Sequence, residues 1–203
     1  MQSATKVGLA VVIAIIAATA GVQVARLTAP GAPVLQSGTW LPVARATLPF
    51  SLTDQQGRPA SQQLFQGQAT LLFFGFSNCP DVCPTTLALL ASVRKSTALK
   101  PLQVVMVSID PDRDTPQQLQ RYLNSFDPAF IGLTGAPAAI DVLTKAFSAV
   151  ALRQPLPGGD YSMDHSATVY LLDQQGQLVA VFTPPLSLEK MRQDLDALQD
   201  RLS

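Results

Sequence analysis

The stretch Thr70-Leu71-Leu72-Phe73-Phe74-Gly75-Phe76-Ser77-Asn78-Cys79-Pro80-Asp81-Val82-Cys83-Pro84 constrains the fold of this 203-residue chain more than any other. Leu71 to Phe76 are continuously apolar or small, too few for a helix, and read as a strand buried on both faces in the centre of an α/β sheet. Asn78 and Pro80 end it. Pro84 biases Cys83 away from helical dihedrals and suits the first helical position, so a helix is expected to begin at Pro84 with Cys83 as its cap. Both thiols then sit on a strand-to-helix turn, where the helix terminus favours thiolate, the form that ligates metals and attacks disulfides.

These are the only two cysteines, too few for a disulfide framework. Lys plus Arg equals Asp plus Glu, 14 of each, and with no basic face the chain is not expected to bind nucleic acid. Val7 to Val24 is uncharged, rich in Val, Ile and Ala, and flanked by Lys6 and Arg26. Its length suits a spanning helix, for which about 17 to 25 residues are needed. Residues 1–26 are therefore expected to be an N-terminal membrane anchor, with a signal peptide cleaved after Ala18-Thr19-Ala20 as the alternative. Either reading puts the rest of the chain outside the cytoplasm. Residues 27–47, with Pro30, Pro33, Pro42, Gly31 and Gly38 and no sustained period, read as a linker, on which Trp40 docks to the domain surface.

Residues 48–203 then form one domain. Leu48 to Thr53 alternates and meets a turn at Asp54-Gln55-Gln56-Gly57, an entry strand or hairpin. Leu87, Leu90 and Ala91 line a helix, and Leu102 to Ile109 is a second buried strand. The aspartates of Asp110-Pro111-Asp112-Arg113-Asp114 do not make a calcium loop, because the sixth position is Thr115 and the twelfth Arg121. Thr115, Pro116 and Gln118 are instead a helix start. Asp110 and Asp112, at the C-terminal end of a strand, are candidates for the site edge and, with Arg113, for a partner-facing rim.

Leu119, Tyr122, Leu123 and Phe126 form a further helix face, and Ile140, Leu143, Phe147 and Val150 another, with a short strand at Phe130 to Leu133 between them. Arg153 to Asp160 is a Pro/Gly-rich loop delivering His165. A hairpin about Asp173 to Gly176 follows, and then a helix capped by Ser187. The order is that of an α/β, thioredoxin-like fold.

A C-x-x-x-C pair puts its Cα atoms roughly 6 Å apart in helical geometry, close enough for a disulfide or for a shared metal. His165 is the only histidine. If its loop folds over the cysteine turn, Cys79, Cys83 and His165 make a soft donor set that suits copper, Cu(I) above all, while structural zinc prefers four ligands. Asp81, between the thiols, and Asp164, beside the imidazole, are either outer-shell or partner contacts, or solvated loop carboxylates.

Phe74 to Pro84, Asp110 to Pro116 and Tyr161 to Ser166 together resemble the three signatures of the SCO/SenC copper chaperones, over a region running from about Leu48 to the C-terminus. The resemblance implies a thioredoxin-like domain tethered to the inner membrane by its N-terminal helix and facing the periplasm or an equivalent space. It implies copper, Cu(I) or Cu(II), held by Cys79, Cys83 and His165, received from an upstream donor and delivered to the binuclear site of cytochrome c oxidase subunit II. The competing expectation is a thiol-disulfide oxidoreductase acting through a Cys79–Cys83 disulfide. Against it, redox thioredoxin-like proteins usually have two residues between the cysteines and a proline where Asp164-His165-Ser166 stands here.

Overall fold

The computed structural model describes residues 31–202. The expected anchor, 1–26, lies outside the described residues, and among those described no helix is long and apolar enough to cross a membrane.

The sheet is built outward from β4 (Ala69–Gly75), every residue of which is buried. Parallel to it runs β5 (Leu102–Ser108), buried throughout, and parallel to that β6 (Ile131–Thr134). These are the continuous apolar runs that a strand covered on both faces requires. On the far side of β4 the pairing becomes antiparallel through β9 (Val169–Leu172) and β10 (Gln177–Phe182). The Asp173 to Gly176 turn joins these two strands, and Gly176 takes the positive φ of 73° that it requires. With β1 (Gly38–Ala46), β2 (Leu52–Asp54) and β3 (Pro59–Ala60), the eight-stranded order is β1-β10-β9-β4-β5-β6-β2-β3.

Helix α1 (Val82–Ser96) connects β4 to β5, α2 (Pro116–Asn124) connects β5 to β6, and α3 (Pro137–Ala146) follows β6. The chain closes with α4 (Leu188–Ala197), packed on α1, and the short α5 (Gln199–Leu202). Of the apolar repeat Leu188, Met191, Leu195, Leu198 and Leu202, the last four are buried while Leu188 is exposed at the helix start, and the helix breaks at Leu198. Val150, expected on the α3 face, lies beyond that helix and is exposed.

Two segments differ from their sequence reading. Gly38–Ala46, expected within a linker, is the edge strand β1, paired antiparallel to β10. An edge strand tolerates a proline, here Pro42, and from Pro42 to Ala46 this one is exposed on both faces, which is why no period announced it. Trp40 packs against the core from this strand. Just ahead of β1, the buried carboxylate of Asp194 on α4 accepts from the backbone N–H of Gln36 (2.6 Å), Ser37 (2.9 Å) and Gly38 (3.0 Å) and from the Ser37 hydroxyl (2.9 Å).

The second difference is the Pro/Gly-rich region. Ala151–Pro155 (β7) and Tyr161–His165 (β8) pair with each other and form a sheet of their own, bridged by the turn at 157–159. Sequence reasoning saw only the turn.

Candidate metal centre

The cysteine turn leaves β4 at Gly75 and enters α1 earlier than expected. The helix begins at Val82, with Asp81 in the N-cap position, so Cys83 is its second residue and Pro84 its third. The helix tolerates Pro84 because a proline in the first turn removes an N–H that has no intrahelical acceptor in any case. The free N–H of Cys83 instead points at Cys79, whose Sγ it meets at 3.4 Å. That is the favourable helix-terminus contact for a thiolate.

The two thiols are not equivalent. Cys79 is half-buried, whereas Cys83 is fully buried beneath the turn. Burial pushes the Cys83 thiol far above its ordinary pKa, outweighing the hydrogen bond it receives from the Phe76 backbone. For Cys83 the expectation of an eased ionisation is therefore reversed in the metal-free protein. The backbone at Gly75 passes so near that a Cβ there would stand 3.0 Å from Cys83 Sγ and 2.7 Å from the Phe73 ring.

His165 arrives at the end of β8. Its Nε2 lies 3.3 Å from Cys83 Sγ and 3.9 Å from Cys79 Sγ. Its Nδ1 lies 3.1 Å from the carbonyl oxygen of Ser166, and since a carbonyl only accepts, Nδ1 carries the proton and Nε2 turns its lone pair toward the sulfurs. Phe73 and Phe76 meet the imidazole edge-on, each at 5.7 Å between centroids. Burial lowers the His165 pKa, which keeps the ring neutral and ligand-competent.

The three donor atoms all lie within 4.8 Å of one another. Metal bonds of about 2.3 Å to sulfur and 2.0–2.1 Å to nitrogen put donors roughly 3.8–4.0 Å apart around a three-coordinate ion, so small side-chain adjustments suffice. Two thiolates and an imidazole are soft to intermediate donors, fit for copper. The mouth is an open cavity of about 330 Å³ that Cys79, Asp81, Met163, Asp164 and His165 help to line.

The structure separates the four candidate carboxylates: Asp81, Asp112 and Asp164 are exposed, and Asp110 is buried. Asp164 makes no hydrogen bond to the imidazole: its exposed carboxylate accepts from Gln154 Nε2 at 2.8 Å. Asp81 is exposed at the mouth and makes no side-chain cap. Asp112 is exposed and paired with Arg153. Asp110 is no rim group: it is buried, accepting from Arg113 Nε at 2.5 Å and from the Tyr161 hydroxyl at 2.7 Å.

Sequence reasoning passed over Asp114. Its buried carboxylate accepts from the Ser77 hydroxyl (2.5 Å), the Ser77 N–H (3.1 Å) and the Ser108 hydroxyl (2.6 Å), tying the cysteine turn to the end of β5. Burial raises its pKa. The one available signal was position, a carboxylate just after a buried strand; Thr115 beside it, with its Oγ1 3.2 Å from the Gln118 N–H, drew the helix-cap reading instead.

A dithiol on the turn after the central strand, joined by a histidine from a distant hairpin, defines a thioredoxin-like α/β domain with a three-donor metal centre. The sequence profile of the SCO1/SenC family matches residues 41–200, and the chain belongs to that family. It is 38% identical over 164 residues to a protein of Stutzerimonas stutzeri, covering 79% of this chain and 80% of that one. It is 36% identical over 159 residues to the mitochondrial protein SCO2 of Saccharomyces cerevisiae, covering 73% of this chain but only 52% of the yeast protein. The chain thus spans about half the length of that mitochondrial relative. Copper-bound ScoI of Bradyrhizobium japonicum superposes with a TM-score of 0.69 at 38% identity, covering 78% of this chain and 99% of that one.

Proposed function

We propose that this protein is a copper metallochaperone that holds one copper ion through Cys79, Cys83 and His165 and passes it on by ligand exchange. The observation that carries the reading is the convergence of two sulfurs and an imidazole nitrogen within 4.8 Å from segments more than 80 residues apart in the chain. Membership of the SCO1/SenC family and likeness to a copper-bound ScoI support the choice of copper.

The chain's own groups divide the work. Cys79 is the accessible donor at the mouth, with its sulfur already facing a helix N–H. Cys83 is the buried donor and must give up its thiol proton on binding, which makes uptake proton-linked. His165 enters neutral, and its Nδ1–H on the Ser166 carbonyl fixes the tautomer. Asp114, through Ser77, holds the turn on which both thiols sit.

The recipient in this reading is the binuclear copper site of cytochrome c oxidase subunit II, with an upstream donor supplying the ion. The domain, residues 48–203 together with the edge strand before it, works outside the cytoplasm, facing the periplasm from an inner-membrane anchor within residues 1–26. Anaerobic Cu(I) titration of the reduced full chain is the test. One tight equivalent is expected, weakened sharply by His165→Ala; binding indifferent to that substitution would remove the assignment.

A second reading, reduction of partner cysteines by the Cys79–Cys83 dithiol, is favoured by the Cys83 N–H held on Cys79 Sγ. It predicts turnover of a mixed-disulfide substrate by the metal-free protein. The two readings are compatible, since copper transfer needs reduced thiols.

A further inference from the structure

We infer that Tyr161 is a latch that sets where His165 stands, and so tunes the copper centre from a distance; this rests on the ligand reading above. The β7–β8 hairpin that carries His165 shares no ladder with the main sheet. Its base is closed on itself, Val150 N–H to Ser166 Oγ at 2.8 Å and Ser166 N–H to Val150 carbonyl at 3.2 Å, which ties the two arms together and not to the sheet. Apart from His165, the hydrogen bonds and ion pairs that join the hairpin to the main body, among the described residues, all end on Asp110, Asp112 or Arg113 in the loop after β5.

Tyr161 is the centre of that attachment. Its ring is flanked by two guanidinium groups, Arg113 from the loop and Arg153 from β7, each carbon 3.8 Å from the ring centroid. Its hydroxyl donates to the buried Asp110 at 2.7 Å, and its carbonyl accepts from Arg113 Nη1 at 3.0 Å. Asp112 pairs with Arg153, and Asp160 with Arg113 at 3.4 Å. The stack therefore crosses from hairpin to loop, with a cation supplied by each side.

Strand alternation puts Tyr161, Met163 and His165 on one face of β8. Tyr161 lies roughly 13 Å from His165 along the strand, at about 3.3 Å per residue, so it touches none of the donor atoms. It is a positioning residue. Tyr161 clamps the turn end of a short strand that shares no ladder with the main sheet and otherwise rests on the core through Met163 and His165. It so limits how far the imidazole, which must meet two sulfurs at 3.3 and 3.9 Å, can shift.

The test is anaerobic Cu(I) titration against a competing chelator, using the reduced full chain as parent, Tyr161→Ala, Tyr161→Phe, His165→Ala and the Tyr161→Ala/His165→Ala double variant. Tyr161→Ala is expected to weaken Cu(I) binding about tenfold, the low end for residues acting behind a metal ligand. Tyr161→Phe, which keeps the ring between the two arginines, should lose less. In the His165→Ala background Tyr161→Ala should add nothing, a result that general destabilisation would not give. Hydrogen exchange of the metal-free protein should quicken across residues 151–165 in Tyr161→Ala and stay unchanged in β4 and β5. A weakened His165→Ala beside an unaffected Tyr161→Ala would overturn the latch alone, as would equal losses in both backgrounds or unchanged exchange in the hairpin. Parent-like binding by His165→Ala would instead overturn the ligand reading, and the latch with it.

Discussion

Gly75 and Cys83 are in contact across the turn: a Cβ on Gly75 would stand 3.0 Å from Cys83 Sγ, closer than an ordinary contact allows. The last residue of the central strand thus shapes the seat of the buried thiol. Gly75→Ala is expected to displace Cys83 and the Phe73 ring together and to lower Cu(I) affinity by about tenfold or more. Gly132→Ala, equally crowded but by Leu123 and Leu119, is the control, and should cost stability while leaving affinity intact. Chelator competition beside thermal unfolding separates the two effects.

The unequal burial of the thiols predicts unequal reactivity. In the reduced, metal-free protein, Cys79 should be alkylated at least about tenfold faster than Cys83, whose thiol is both shielded and held protonated by burial. Mass mapping of iodoacetamide adducts over time reads this directly. Comparable rates at the two positions would contradict the buried seat of Cys83.

Asp114 makes stability depend on pH with a definite sign. Its folded pKa is raised by burial, so between the ordinary aspartate value and the folded value the native state holds a proton that the unfolded chain has released. Stability from this group is fully present below the unfolded pKa and is lost as pH rises through the folded one. Asp114→Asn removes the titration. The unfolding free energy of the parent minus that of the variant should therefore increase as pH is lowered from about 7 toward about 4.5, measured by urea unfolding. A difference that stays flat would mean that the carboxylate ionises as freely folded as unfolded.

Asp194→Ala tests the fastening of β1. Four donors lose their acceptor at once, from Gln36, Ser37 and Gly38. Because hydrogen bonds to charged groups contribute about 1.5–3 kcal/mol each and the freed donors regain water in part, a loss of about 2 kcal/mol or more is expected. Hydrogen exchange should quicken along β1, with Cu(I) affinity unchanged.

What could be read from the sequence follows the physics of each signal. β4 and β5 were legible because strands covered on both faces must be apolar throughout, and the Cys79, Cys83 and His165 set because those residue types occur nowhere else in the chain. β1 escaped because Pro42 to Ala46 are exposed on both faces, so nothing imposes an alternation there. The β7–β8 hairpin escaped because Pro155, Pro157, Gly158 and Gly159 mark its turn more loudly than an exposed β7 and a half-buried β8 mark themselves. Asp110 and Asp114 look like solvent-facing acids in a polar loop. Their burial is decided by Arg113, Tyr161, Ser77 and Ser108, which only the fold brings to them.

The Asp194 clasp also has a mechanical meaning. Tension entering the domain through the residues before Gln36 is taken up first by a carboxylate on α4, ahead of any strand. β10 and β9 then lie between β1 and β4. The clasp thus couples the leading end of the domain to α4, and through the packing of α4 on α1 to the helix that carries Cys83.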